Sequence, residues 1–292
     1  MYRTDTLTAV RRLIVNADDF GLTQGVNQAV IELRRANALS SATLMATSSQ
    51  CVQAVSFAGQ LPSLGVGCHV VLVDGTPALP ASEIPTLIDN SAPEKGLFRA
   101  KLSTFVADLL RGRISDSEIE AEANAQIKKL LKAGIRVTHV DTHKHTHIFP
   151  RVLRPLLRAT LACGVKAIRN PFEPNWSLNA TASAGHVRKM QVRLLRSQSA
   201  AFTQEVNRAG LLTTDGAIGV LATGTLDALT IRNLLAAMPD GTWELVCHPG
   251  YNDAALQQQH TRLLASRDIE REALLETIPH ASAELIHFGQ LA

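Results

Sequence analysis

Paired cysteines are missing from this chain. Cys51, Cys68, Cys163 and Cys247 are scattered, with no C-x-x-C spacing among them. Neither a disulfide framework nor a cysteine zinc site is indicated, and a reducing compartment fits best. Long apolar runs are missing too: no stretch of about 20 apolar residues is present to span a bilayer. The N-terminal M-Y-R-T-D-T-L-T-A-V-R-R lacks the apolar segment of a secretion signal. A soluble cytoplasmic protein is expected. Nor is there an excess of charge of one sign. The 29 Lys and Arg nearly balance the 26 Asp and Glu, so no electrostatic argument favours nucleic acid as a partner. No internal repeat is visible. What remains is a chain of 292 residues, 46% hydrophobic and 19% charged. It can bury a sizeable core and has a length common for one α/β barrel, so 1–292 is read as a single domain.

Residues 13–17 form a short apolar run ending at Asp18-Asp19, and it reads as a buried strand. Val26, Ala29, Val30 and Leu33 follow with helical spacing. Further strands are expected at 41–46, 65–73, 166–169, 217–222, 243–247 and 284–288. Helices are expected at 53–60, across 98–134, at 151–163, 186–209 and 226–238, and through much of 253–278. Ser115 and Glu118 have the spacing of a capping box. Residues 74–95 carry four prolines and read as a long loop, a kind that is usually functional. Strands alternating with helices imply a parallel sheet with helices outside it. Seven or eight strand candidates suit a closed or partly closed barrel.

The densest chemistry lies in T-H-V-D-T-H-K-H-T-H-I-F-P at 138–150. His139, Asp141, His143, His145 and His147 all occupy odd positions, so they share one face as far as an extended strand persists. A histidine-rich tract of this kind is a metal-binding composition, although a solvated loop is the plain alternative. Two more polar groups sit at predicted strands. His69 is embedded in G-V-G-C-H-V-V-L-V, where a lone histidine is often a core residue. Asp18-Asp19 follows the first strand, where it could equally be the acidic first turn of a helix. In a parallel barrel the C-terminal strand ends converge, so the three clusters can share a site. Adjacent residues of an extended chain face opposite ways, so the two aspartates need not do the same job. A carboxylate on a metal beside one that takes a proton suits metal-assisted hydrolysis.

Four segments carry a more specific likeness: L-I-V-N-A-D-D-F-G-L at 13–22, G-C-H-V-V-L at 67–72, T-H-V-D-T-H-K-H-T-H at 138–147 and E-L-V-C-H-P-G-Y at 244–251. In this order they resemble the motifs of the YdjC/ChbG family of carbohydrate deacetylases. The wording around residue 69 further resembles the hopanoid-associated HpnK branch. The resemblance implies a distorted TIM-like (β/α) barrel akin to that of polysaccharide deacetylases. It also implies that Asp19, His69 and His143 bind a divalent metal, with Mg2+ first and Zn2+ second, because mixed histidine and carboxylate ligands suit several ions. By the same resemblance Asp18 is the general base and His248 the general acid. Arg169 orients Asp18 or the substrate, and His145 and His147 support the site or contact sugar. A histidine before Pro249-Gly250 could also simply finish a strand. Family members often have Ser at position 142 and Leu or Met at position 68, neither being a ligand.

The implied function is removal of an N-acetyl group from an amino sugar, borne on an oligosaccharide or on a hopanoid lipid. The rivals are a metal hydrolase of another ester, amide or phosphate and a non-catalytic sugar-binding protein. An N-acetylated sugar is the expected partner, and a homodimer is the candidate assembly.

Overall fold

The computed structural model describes residues 10–181 and 185–291. The stretch read above for a secretion signal lies outside them up to residue 9, as do residues 182–184 and the side chains of His186 and Val187. Strands and helices first alternate as the periodicity predicts: β1 (Arg11–Phe20), α1 (Gln24–Arg35), β2 (Ser41–Leu44), α2 (Cys51–Gly59) and β3 (Gly65–Val70). Thr23 starts α1 by accepting the Val26 amide on its hydroxyl at 3.2 Å, which satisfies one of the free amides of the first turn. After the proline-bearing loop come α3 (Leu102–Leu110), α4 (Asp116–Lys132), β4 (Val137–Thr142), a 3-10 segment His143–Ile148 and α5 (Pro150–Ala162). The rest of the chain forms α6 (Asn175–Ala180), α7 (His186–Arg196), α8 (Ser199–Arg208), β5 (Gly216–Ile218), α9 (Ala228–Ala237), β6 (Gly241–Cys247), α10 (Ala254–Gln257), α11 (Ala265–Thr277) and β7 (Glu284–Leu285). The single helix expected over 186–209 is therefore two, broken between Arg196 and Ser199.

All strand pairs are parallel, in the order β4-β3-β2-β1-β6-β5. β7 pairs with Arg12 and Leu13 at the start of β1, while β2 takes Asn16 and Ala17 further along. The sheet curls into a distorted barrel. Between β4 and β5 it is joined only by single bridges, Val140 to Ile168 and Ala167 to Leu212. The strand expected at 166–169 contributes these bridges and no more.

The strand period of two sorts the sheet into faces. Leu13, Val15 and Ala17 of β1, Ala42 and Leu44 of β2, and Val66, Cys68 and Val70 of β3 belong to the main apolar core. Each Val or Leu among them contributes roughly 1.5–3 kcal/mol when fully buried. The alternate positions point into the barrel. At its floor Ile14, Ala167, Ile286 and Phe288 pack together, with the His139 ring stacked on Phe288 at 3.8 Å. Above the floor the interior turns polar, through Asn16, Asp18, Thr43, His69, Asp141 and Glu244, each almost fully buried. Buried ionic groups are at best near neutral for stability compared with apolar packing, so the apolar outer face holds the fold. The polar interior calls for another explanation.

The loop over 74–101 is pinned from below. Buried Glu122 on α4 accepts the Ala78 and Leu79 amides at 2.7 and 3.0 Å. Glu118 accepts both the amide and the hydroxyl of Thr86. That reach explains why the expected capping box does not form: Glu118 is committed to the loop, and the Ser115 hydroxyl meets Ser117 at 2.8 Å instead.

Candidate active site and metal centre

The upper ends of β1, β3, β4 and β6 open into a cavity of about 790 Å3 lined by Asp18, Asp19, His69, His143, His145 and His248, among others. Strict alternation would send Asp18 and Asp19 to opposite faces, yet both line it. The reason is local: Asp19 has φ of 63°, and the β1–β2 register shifts between Ala17 and Phe20. That turn brings the second carboxylate round beside the first.

Three ligand-type atoms converge here. Asp19 Oδ1 lies 3.6 Å from His69 Nε2 and 3.3 Å from His143 Nδ1, and the two imidazole nitrogens are 3.3 Å apart. Ligand atoms about 2.1 Å from a tetrahedral ion are separated by about 3.4 Å, so the triangle has the dimensions of one face of such a site. Two further observations fit a cation. Asp19 Oδ1 is buried with no hydrogen-bond partner, a costly state that a cation relieves. His69 Nδ1 is held by Asp141 Oδ1 at 2.7 Å, the carboxylate–histidine arrangement that aims an imidazole at a metal. Burial works to lower the His69 pKa, but Asp141, Asp18 and Asp19 outweigh it and raise it to about 9. The field at Nε2 favours positive charge.

Asp18 is held differently. Its Oδ1 accepts from Asn16 at 2.9 Å, from Thr43 at 3.2 Å and from one Arg169 nitrogen at 2.6 Å. Oδ2 accepts only the other Arg169 nitrogen, at 2.8 Å, and so keeps a lone pair for the cavity. Burial acts to raise the Asp18 pKa, but the Arg169 guanidinium, with His69 and His248, holds it well below the usual carboxylate range. Arg169 is fully buried, outside the cavity lining, and clamps three carboxylates: Asp18, Asp141 and Glu244. Burial pushes the Glu244 pKa up to about 7 against the pull of Arg169. His248 Nε2 faces Asp18 Oδ2 at 3.8 Å, too long for a direct hydrogen bond. Its amide donates to Glu270 on α11 at 2.6 Å, and its Nδ1 is buried without a hydrogen-bond partner. Arg267, also on α11, donates to Asp19 Oδ2 at 2.5 Å and leaves Oδ1 for the cluster.

A family model described as YdjC-like protein matches residues 12–281. The chain belongs to the YdjC-like family. A chitooligosaccharide deacetylase of Salmonella paratyphi C is 30% identical over 250 residues, covering 85% of each chain. A carbohydrate deacetylase of Brevibacillus brevis is 37% identical over 147 residues, which is 50% of this chain and about half, 54%, of that one. Among solved structures, an Enterococcus faecalis V583 protein assigned to cellobiose-phosphate cleavage superposes with a TM-score of 0.72 at 25% identity, covering 96% of this chain and 98% of its own.

In this YdjC-like chain the histidine tract departs from the expected single face. β4 ends at Thr142, and Lys144 and His145 take left-handed backbone, φ 55° and 51°. His139 and Asp141 point inward as the alternation requires. His143 reaches the cluster from the turn, and His145 lines the cavity. His147 does not line it: the ring is buried near Phe202, with Nδ1 2.7 Å from the Thr142 hydroxyl. It packs behind the turn, a placement that suits the supporting alternative expected for it and not the sugar-contacting one. Lys144 donates to Asp74 at 2.6 Å and ties the turn to the loop over the mouth. Glu244, Arg267 and Glu270 carry no assigned role in the sequence, and Asp141 enters there only as one member of the histidine tract. A charged residue inside the apolar strand W-E-L-V-C was the available signal for Glu244, whereas Arg267 and Glu270 sit on an ordinary amphipathic helix.

Proposed function

We propose that this YdjC-like protein is a carbohydrate deacetylase, hydrolysing the N-acetyl group of an amino sugar with the help of a divalent cation held by Asp19, His69 and His143. The arrangement that carries the reading is Asp18, with a carboxylate oxygen within 4.8 Å of a nitrogen of the ligand His69 and with Oδ2, free on one side, 3.8 Å from His248. A cation bound there would polarise the amide carbonyl and lower the pKa of water, which compensates for the weak basicity of so acidic a carboxylate. Two imidazole donors rank zinc above magnesium, which prefers oxygen ligands.

Arg169 fixes Asp18 in one orientation and keeps it ionised, ready to take a proton from the attacking water. As the C–N bond breaks, His248 Nε2 gives a proton to the departing amine. The products are acetate and a free amino sugar, and the cycle closes when the proton taken up by Asp18 passes to His248 and restores both groups. Either an oligosaccharide or a lipid-linked glycoside, the hopanoid type included, meets this chemistry, because only the acetamido group must enter.

Purified protein, stripped with a chelator and reloaded with Zn2+ or Mg2+, is assayed for acetate release from N-acetylglucosaminyl oligosaccharides and for hydrolysis of nitrophenyl phosphate. Metal-dependent acetate release without phosphate release is expected. Phosphate release alone supports a different hydrolase. Sugar binding with no turnover under either ion makes the protein a binding module.

A further inference from the structure

Helix α7 is built unlike the other helices, since none of its described side chains is fully buried. Met190 and Leu194, one helical turn apart and so on one side, are 66% and 73% exposed, and Leu195 beside them is 36% exposed. The half-buried Lys189, Val192 and Arg196 mark the opposite side, which faces the protein. Residues 186–196 carry four cationic side chains, Arg188, Lys189, Arg193 and Arg196, and no carboxylate. Among the described residues none of the four forms an ion pair.

This helix stands at the cavity mouth. Arg188 lines the cavity and donates to the carbonyls of Thr223 and Val220, at 3.2 and 3.4 Å, both residues of the same lining. Lys101 and Arg262, likewise exposed and without ion pairs among the described residues, line the rim as well. Exposed large apolar side chains flanked by unpaired cations match the pattern of a helix lying in a lipid interface. There the apolar face enters the headgroup boundary and the cations meet anionic headgroups.

We propose that α7 docks the protein on an anionic lipid bilayer, with the cavity mouth turned toward that surface. A second copy of the chain is the less suitable occupant. A two-fold interface centred on this face would set the exposed Arg188 and Arg193 against their own copies, with no acid on the helix to offset them. The proposal stands apart from the deacetylase reading, since it concerns where the cavity is held and not what it does.

The test is co-sedimentation of the full chain with vesicles of phosphatidylcholine alone and of phosphatidylcholine mixed with phosphatidylglycerol. Binding to the mixed vesicles only, released at high salt, is expected. Arg193→Glu should weaken partitioning by about tenfold. Met190→Ser with Leu194→Ser should abolish detectable binding. Both variants should retain the wild-type circular dichroism and the wild-type acetate release from soluble substrate. Equal binding to neutral vesicles, no binding at all, or unaltered binding by Arg193→Glu overturns the proposal. So does a dimer in solution that the double Ser variant splits, since that would assign the face to a second copy.

Discussion

The proposed reaction asks Asp18 to be both rigid and basic, and the two demands conflict. The paired Arg169 contacts that orient it also stabilise its ionised form, and a carboxylate held low is a poor proton acceptor. Asp18→Asn keeps the shape and removes the acceptor, so kcat should fall by about 10²–10⁴-fold while metal content is unchanged. Loss of the metal along with activity would instead place Asp18 among the ligands. The sign of the pH effect at Arg169 follows from the same contacts. A carboxyl with a depressed pKa stays ionised through mildly acidic pH, so protonation of Asp18 does not set the acid limb of kcat/KM in the wild type. Arg169→Lys keeps one charge but loses the two-pronged fit, so the Asp18 pKa should rise toward the ordinary carboxylate value. NMR titration of the Asp18 carboxyl in the wild type and in the folded Lys variant checks this, and an unmoved Asp18 pKa would show that the clamp does not tune it.

At the scale of elements, β3 and β4 must lie close enough for Asp141 to hold His69, and Gly67 permits this. A β-carbon at that position would sit 2.4 Å from Cε1 of His139, and the ring cannot retreat because Phe288 is stacked on it. Gly67→Ala should cost about 1–3 kcal/mol through overpacking, seen as a lower urea midpoint, and should reduce metal affinity by shifting His69. A variant as stable as the wild type would show that the floor yields. The elements also show what the sequence could and could not reveal. The strands β1 to β4 are legible as short apolar runs, such as L-I-V-N-A ending at Asp18-Asp19. The fate of the histidine tract was not. Nothing in T-H-K-H-T-H announces that β4 stops at Thr142, since the left-handed turn at Lys144 and His145 is held by a distant partner, Asp74. The same limit hid Arg267, which meets Asp19 across 248 residues of sequence.

Across the whole molecule, the site exists because a parallel sheet delivers residues from β1, β3, β4 and β6 to one end of a curled barrel. Acidic groups gathered there repel one another, and Arg169 and Arg267 offset that repulsion only in part. A bound cation should therefore stabilise the fold as well as the reaction. At a metal concentration of about 100 Kd the gain is about 2.7 kcal/mol, so chelation should lower the unfolding temperature and added Zn2+ should restore it. An unfolding temperature indifferent to both would mean that no ion is bound by the native state.

The most direct measurement is calorimetric titration of Zn2+ into chelator-stripped wild type and into Asp19→Ala, His69→Ala and His143→Ala, each verified as folded. One ion per chain in the wild type, with affinity lowered by more than about 100-fold in every variant, is the predicted result, since loss of a ligand should exceed loss of an outer partner. Wild-type affinity in any folded variant, or no uptake by the wild type, would contradict the claim that these three side chains share one cation.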